Sequence, residues 1–99
     1  MKMTIRGTVT QIGEPRVTDK SEVTEIIINK KYHDPETGEL KAEDNYPCQI
    51  WKKQFLEFEK CYHKNSMMEV TGFLNGRKVD KDGRQSFFLN FVGTEFKNT

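Results

Sequence analysis

The stretch Gln54–Leu74, QFLEFEKCYHKNSMMEVTGFL, changes from a helical to an extended pattern. Apolar residues recur at the spacing of one helix face from Gln54 to Lys64 and alternate with polar ones from Met67 to Leu74. Asn65 follows Lys64 where a helix commonly ends in a left-handed residue, a conformation that asparagine tolerates. These patterns predict a helix over Gln54–Lys64 and a strand over Met67–Leu74.

Four further stretches have the alternation or the β-branched content of strands. They are Ile5–Thr10, Glu22–Tyr32, Tyr46–Trp51 and Ser86–Phe96. Between the last two strands, Asp80-Lys81-Asp82-Gly83 predicts a tight hairpin turn. The sequence therefore predicts an all-β fold, a five-stranded Greek-key OB-fold barrel with one α-helix between strands 3 and 4.

The composition is that of a hydrophilic globular chain, with 34% hydrophobic and 31% charged residues. A length of 99 residues is typical of one domain, so residues 1–99 are expected to form a single OB-fold domain. Sixteen basic and 15 acidic residues leave a net charge of +1. Net charge therefore neither indicates nor excludes a nucleic-acid partner.

The sequence has no apolar run long enough to span a bilayer and no signal peptide at its N-terminus. We therefore expect a cytoplasmic protein without a membrane partner. Cys48 and Cys61 are too few for a disulfide framework, and cytosolic thiols are normally reduced.

Motifs for metal binding and catalysis fit poorly. Cys61-x-His63, with Cys48 and His33, does not have the spacing of zinc ligands. Asp80-x-Asp82-Gly83 resembles the start of a calcium loop, but the closing glutamate is missing and a hairpin turn explains it better. No activated nucleophile or phosphate-binding loop is evident, so we expect neither an enzyme nor a metal or other cofactor.

Short motifs along nearly the whole chain resemble those of bacterial single-stranded DNA-binding proteins. In the centre, the second strand leads into NKKY and a TGE loop, Tyr46 opens the third strand, and WKKQ leads into the helix. The helix end YHKNS is similar to the family's K-G-S, and EVTGFL to its V-x-G-x-L strand. GEPRVT, which ends at Thr18, and the DKDG turn also resemble family segments.

Three positions depart from that family. Asn65 replaces the glycine at the helix end, which the left-handed conformation allows. Val79 stands where the family often has an aromatic residue in the last hairpin. The chain ends at Thr99 without the family's flexible linker and acidic tip, so either it is a fragment or it lacks the recruitment of replication proteins that the tip provides.

The resemblance implies sequence-independent binding of single-stranded DNA in replication, recombination or repair. OB-folds hold a strand by stacking bases on exposed aromatic rings while Lys and Arg contact the backbone. By residue type alone, tyrosines at strand ends are as well explained as half-buried core residues; the resemblance favours stacking. The closeness of aromatic and basic residues in the sequence, together with the family resemblance, predicts a DNA-binding site. Its residues are Tyr32, Tyr46, Trp51, Lys30, Lys52, Arg77 and Lys78.

The face of Trp51 stays open at this point. A regular strand places it opposite Tyr46. Burial of Cys48 and Ile50 would turn Trp51 outward, whereas the family's register turns it the other way. On the last strand we expect one face to be buried, with Phe87, Leu89 and Phe91. Phe88 and Asn90 lie on the opposite face. We exclude the residues of both faces from the site.

Two other functions compete with DNA binding. One is an OB-fold protein-interaction module of a primosome-like replication assembly, which the missing tail and Val79 favour. The other is a small nuclease, but the carboxylates lie mostly on the loop and the helix rather than in a cluster. Because small OB domains leave strand edges exposed, and the family assembles through them, we expect a homo-oligomer, either a dimer or a tetramer.

Overall fold

Six strands and one helix are present in the computed structural model, which describes residues 1–99. In chain order they are β1 (Lys2–Ile12), β2 (Arg16–Val17), β3 (Glu22–His33), β4 (Leu40–Trp51), α1 (Lys52–Cys61), β5 (Met67–Lys81) and β6 (Arg84–Asn98). The helix is too short and too polar to cross a membrane.

The five long strands close into a barrel. Their order is β1, β5, β6, β4 and β3, and β3 pairs again with β1. All these pairings are antiparallel except that of β4 with β6, which is parallel and has a single residue pair, Gln49 with Val92. The predicted all-β barrel is confirmed, and the seam between β4 and β6 is its least paired joint.

The prediction that the helix lies between strands 3 and 4 is wrong, because α1 lies between the fourth and fifth strands. The additional strand is β2, whose two residues pair with Val23 and Glu22 of β3. The sequence Gly13-Glu14-Pro15 predicted only a break here. A strand of two residues is too short to show an alternation of apolar and polar residues. The sequence pattern therefore could not predict this strand or its pairing with β3.

The helix also begins and ends earlier than Gln54–Lys64. It ends at Cys61 because Tyr62 already has an extended backbone, with ψ at 127°, although its N–H still donates to the Phe58 carbonyl at 2.9 Å. Asn65 does adopt the left-handed conformation, with φ at 65°, but in the turn that leads to β5. The prediction of a left-handed Asn65 is confirmed, but the prediction that Asn65 directly follows the helix is wrong.

Buried apolar residues from every long strand and from α1 form the core. Phe58 attaches the helix to the barrel: it is fully buried, and its ring centre lies 5.3 Å from that of Phe55, 5.4 Å from Tyr62 and 5.6 Å from Phe96. Burying such a side chain contributes about 1.5–3 kcal/mol. Cys48 and Ile50 are also fully buried, as the alternation of the third predicted strand indicated.

Two hairpins extend beyond the barrel and give the molecule an elongated shape of 51 × 33 × 24 Å. Beyond Asn29, β3 pairs only with β4, and beyond Phe73, β5 pairs only with β6. We call residues 30–44 the β3–β4 arm and residues 75–90 the β5–β6 arm. The second arm turns at Asp82 and Gly83, whose φ angles of 51° and 77° confirm the predicted hairpin turn.

Candidate nucleic-acid interface

Each face of the β5–β6 arm carries an aromatic ring beside a cation. On one face Arg77 lies opposite Phe88, with its guanidinium carbon 5.7 Å from the ring centre. On the other face Lys78 lies opposite Phe87. Phe87 is 72% exposed and Phe88 is 47% exposed. Exposed rings beside Lys and Arg are the components with which proteins hold unpaired bases and the adjoining phosphates.

The prediction that Phe87 and Leu89 are buried with Phe91 is wrong for the first two. Phe91 is 6% exposed, whereas Leu89 is 73% exposed. The three residues share a face, but only Phe91 lies within the barrel. Phe87 and Leu89 lie in the two-stranded arm, where no second layer covers them.

The charge of this arm is predominantly basic. Its four basic residues, Arg77, Lys78, Lys81 and Arg84, outnumber its two acidic residues, Asp80 and Asp82. The Lys78 ammonium lies 3.8 Å from Asp80, but both side chains are more than half exposed. Exposed ion pairs of this kind contribute at most about 1 kcal/mol, so Lys78 stays available to a phosphate.

The two predicted tyrosines lie together, Tyr32 in the β3–β4 arm and Tyr46 just below it. Tyr32 is 39% exposed, and the Lys30 ammonium lies 5.5 Å from its ring centre. Tyr46 packs partly against the core, and its hydroxyl donates to Asp44 at 3.2 Å. The neighbouring Tyr32 hydroxyl, partial burial and the Asp44 carboxylate raise the pKa of Tyr46 to about 12. Tyr32 is the more exposed of the two residues, since Tyr46 is half-buried.

Lysines of the β3–β4 arm face carboxylates. Lys30 lies opposite Asp44, and Lys31 lies opposite Glu43. The Lys41 ammonium lies 3.6 Å from Asp34. The arm has three lysines but five acidic residues, which are Asp34, Glu36, Glu39, Glu43 and Asp44. The arm thus attracts a phosphate backbone less than the β5–β6 arm does.

Trp51 is half-buried on the outer side of β4, because Cys48 and Ile50 occupy the inner side. It lines a shallow hollow together with Lys20, Ser21 and Lys53. The predicted Lys52 is instead 3.9 Å from Glu22. The structure therefore places Trp51 beside Lys20 and Lys53, and neither lysine belongs to the predicted site.

Phe87, Phe88, Lys20 and Lys53 are missing from the predicted site. The signal for the two phenylalanines was present, because a two-residue turn at Asp82 and Gly83 sets Arg84 opposite Lys81. Counting back along both strands places Phe88 opposite Arg77. Lys20 had no such signal, since only the path of the loop before β3 brings it near Trp51.

No group of three or more His, Cys, Asp or Glu side chains in the structure is arranged to hold a metal ion. Both cysteines are free thiols, and Cys48 is buried in the core.

Comparison by sequence finds no matching family model and no matching curated protein. Comparison by structure finds single-stranded DNA-binding proteins. The mitochondrial one from S. cerevisiae superposes with a TM-score of 0.68 at 16% identity, over 99% of this chain and 93% of that chain. The Plasmodium falciparum SSB in complex with ssDNA gives 0.64 at 17% identity, over 99% and 93%.

The wild-type protein from Thermus aquaticus gives a TM-score of 0.70 at 17% identity, over 99% of this chain but 49% of that longer one. At such identities the likeness concerns the fold. The likeness in fold supports the resemblance to single-stranded DNA-binding proteins that the sequence motifs indicate. The chain has the OB-fold of these proteins.

Proposed function

We propose that the chain binds single-stranded DNA without reading its sequence, as a homo-oligomer acting in replication, recombination or repair. The observation that carries the proposal is the β5–β6 arm, with Arg77 beside Phe88 on one face and Lys78 opposite Phe87 on the other. Stacking of one base on an exposed ring contributes about 1–3 kcal/mol, and any base has a face that can stack.

A path for the strand follows from the three places where rings and cations meet. The β5–β6 arm supplies two rings and most of the positive charge. Tyr32 with Lys30 supplies a ring on the other arm, and Trp51 with Lys20 and Lys53 supplies one on the barrel wall. In this proposal Tyr32, Trp51, Phe87 and Phe88 stack bases, Tyr46 supports Tyr32, and Arg77 and Lys78 contact phosphates.

Val79 no longer favours the alternative function, an OB-fold protein-interaction module. Val79 lacks the ring that related proteins often have there, but Phe87 and Phe88 supply rings on the neighbouring strand of the same arm. Homo-oligomer formation is supported by the free edges of both arms, since exposed strand edges are sites where another chain pairs.

The test is a fluorescence-anisotropy titration of labelled oligo-dT, at low and at physiological salt, with a labelled duplex as the control. Tight binding to the single strand, weakened by salt and much weaker for the duplex, would support the proposal. Absence of binding to oligo-dT at low salt would refute it and leave the barrel as an interaction module.

A further inference from the structure

A slot opens in the barrel wall where β4 and β6 diverge from their single pair, Gln49 with Val92. It encloses about 280 Å³. Its walls include side chains that face the barrel interior, Tyr46, Leu74 and Phe91, and its rim includes polar groups of β3, β4 and β6. We propose that this slot accepts one nucleobase of a strand that is bound elsewhere without regard to sequence, and that it favours a base that carries an exocyclic amine.

The lining excludes a phosphate and fits a base. No lysine or arginine lines the slot, and the Glu25 carboxylate at its rim would repel an anion. Six of the ten lining residues are hydrophobic, which suits a flat aromatic ring. The volume of about 280 Å³ is just below the range of about 300–1,000 Å³ for sites that hold drug-sized ligands. A single base is an occupant of the right size and chemistry.

The position of the slot makes it reachable from the proposed path of the strand, on which this inference rests. Leu89, which lines the slot, belongs to the β5–β6 arm, and Tyr46 lies just below the β3–β4 arm. A strand that contacts both arms passes the mouth of the slot. One nucleotide can then turn its base inward while its phosphates stay outside, near Lys78, which lies on the same face of the arm as Phe87 and Leu89.

The rim selects among bases through its hydrogen-bonding groups. An ionised glutamate only accepts hydrogen bonds, and Glu25 is exposed at the rim opposite Gln49. Cytosine offers an amine where thymine offers a carbonyl oxygen, so a carboxylate attracts the first and repels the second. The amides of Gln49 and Asn90 donate to the remaining acceptors of the ring.

The test compares a labelled oligo-dT with the same oligonucleotide carrying one central cytosine, titrated against the whole chain by anisotropy. Cytosine and thymine have the same ring size, so the pair isolates the amine. We expect the cytosine-containing strand to bind at least about fivefold more tightly. Glu25→Gln should remove that preference. Glu59→Gln, which removes the same charge from an exposed residue of α1 that does not line the slot, should keep it.

Several outcomes would overturn the inference. Equal binding of both strands to the wild-type chain would show that no amine is recognised, while binding itself upholds the proposed function. A preference that survives Glu25→Gln, or that both variants lose, would place the effect outside the slot. Absence of preference together with a changed sedimentation coefficient of Glu25→Gln would assign the slot to contact with a second copy. Absence of binding to both strands would refute the proposed function and this inference with it.

Discussion

Arg77 and Phe88 face each other across the β5–β6 hairpin, with the guanidinium carbon 5.7 Å from the centre of the ring. The two-residue turn at Asp82 and Gly83 sets this register, since it fixes the pairing of every residue behind it. The same register places Lys78 opposite Phe87 on the other face. A short turn motif thus builds a cation beside a ring on both faces of an exposed arm.

Trp51 provides a signal of strand binding in the unmodified chain, because it is the single tryptophan and is only half-buried. We expect oligo-dT to quench its fluorescence, since a base would stack on the indole between Lys20 and Lys53. The quenching curve should follow the same binding curve as anisotropy. Unchanged fluorescence at saturating oligo-dT would show that the strand does not pass over Trp51.

Salt dependence should distinguish the cations of the two arms. Arg77→Ala and Lys78→Ala should each reduce the slope of log affinity against log salt by about 0.7, the counterion release expected for one lost contact with a single strand. Lys41→Ala is the matched control, because Lys41 already faces Asp34 on the acidic arm. An equal reduction of the slope by Lys41→Ala would mean that the positive charge of the β5–β6 arm has no special role.

Much of the barrel was predictable from periodicity because half-buried strands and helix faces have a regular apolar pattern. The inner positions of Cys48 and Ile50 and the turn at Asp82 and Gly83 are examples. The strand extensions were not predictable in this way. Residues 75–81, NGRKVDK, have no buried face to impose alternation, so β5 was expected to end at Leu74 but continues to Lys81.

The candidate site was only partly predictable, for a related reason. Adjacency in the sequence indicated a lysine beside Tyr32, and the Lys30 ammonium does lie 5.5 Å from that ring. The crowding of basic residues around Arg77 gave no indication of its contact with Phe88. The expectation that Phe87 is buried rests on the rule that apolar residues in strands usually face a core, and Phe88 is expected on the opposite face of the strand. That rule fails where a hairpin leaves the barrel, and the hairpin register would have been the better guide.

Substitution by alanine should affect stability very differently at two glycines of β5. A Cβ at Gly72 would collide with the carbonyl oxygen of Val92, a backbone atom that cannot move aside without shifting the strand. We expect Gly72→Ala to destabilise the fold by about 3 kcal/mol or more, the upper range for overpacking. At Gly76 the nearest atom would be 3.9 Å away, on the Leu89 side chain. Gly76→Ala should therefore change the free energy of unfolding by no more than about 1 kcal/mol.

Chemical denaturation monitored by circular dichroism measures both values. Wild-type stability of Gly72→Ala would contradict the close approach of β5 and β6 at this point.

Cys48 should make the fold sensitive to alkali. Burial raises the pKa of its thiol from an ordinary 9.0 to about 12, with a smaller opposing effect from the hydrogen bond to the Gly93 backbone. The folded state holds the thiol neutral, so its contribution to stability is complete below about pH 9 and is lost as the pH rises through about 12. The free energy of unfolding should fall over this interval.

The control is the other thiol, since Cys61 is only half-buried. Cys61→Ala should keep the fall in stability with pH, and Cys48→Ala should diminish it. A thiol reagent at about pH 8 should modify Cys61 in the folded chain and Cys48 only after unfolding. Rapid modification of both thiols in the folded chain would contradict the burial of Cys48.

The most direct test of the account is the affinity for oligo-dT of a chain carrying both Phe87→Ala and Phe88→Ala. Its matched control carries Val17→Ala and Leu56→Ala, which remove two side chains of similar exposure, 77% and 65%, outside the arms. At about 1–3 kcal/mol per lost stack, the phenylalanine variant should bind at least about thirtyfold more weakly than the wild type. The control should bind as the wild type does. Wild-type affinity of the phenylalanine variant would contradict the assignment of the β5–β6 arm as the main DNA-binding surface.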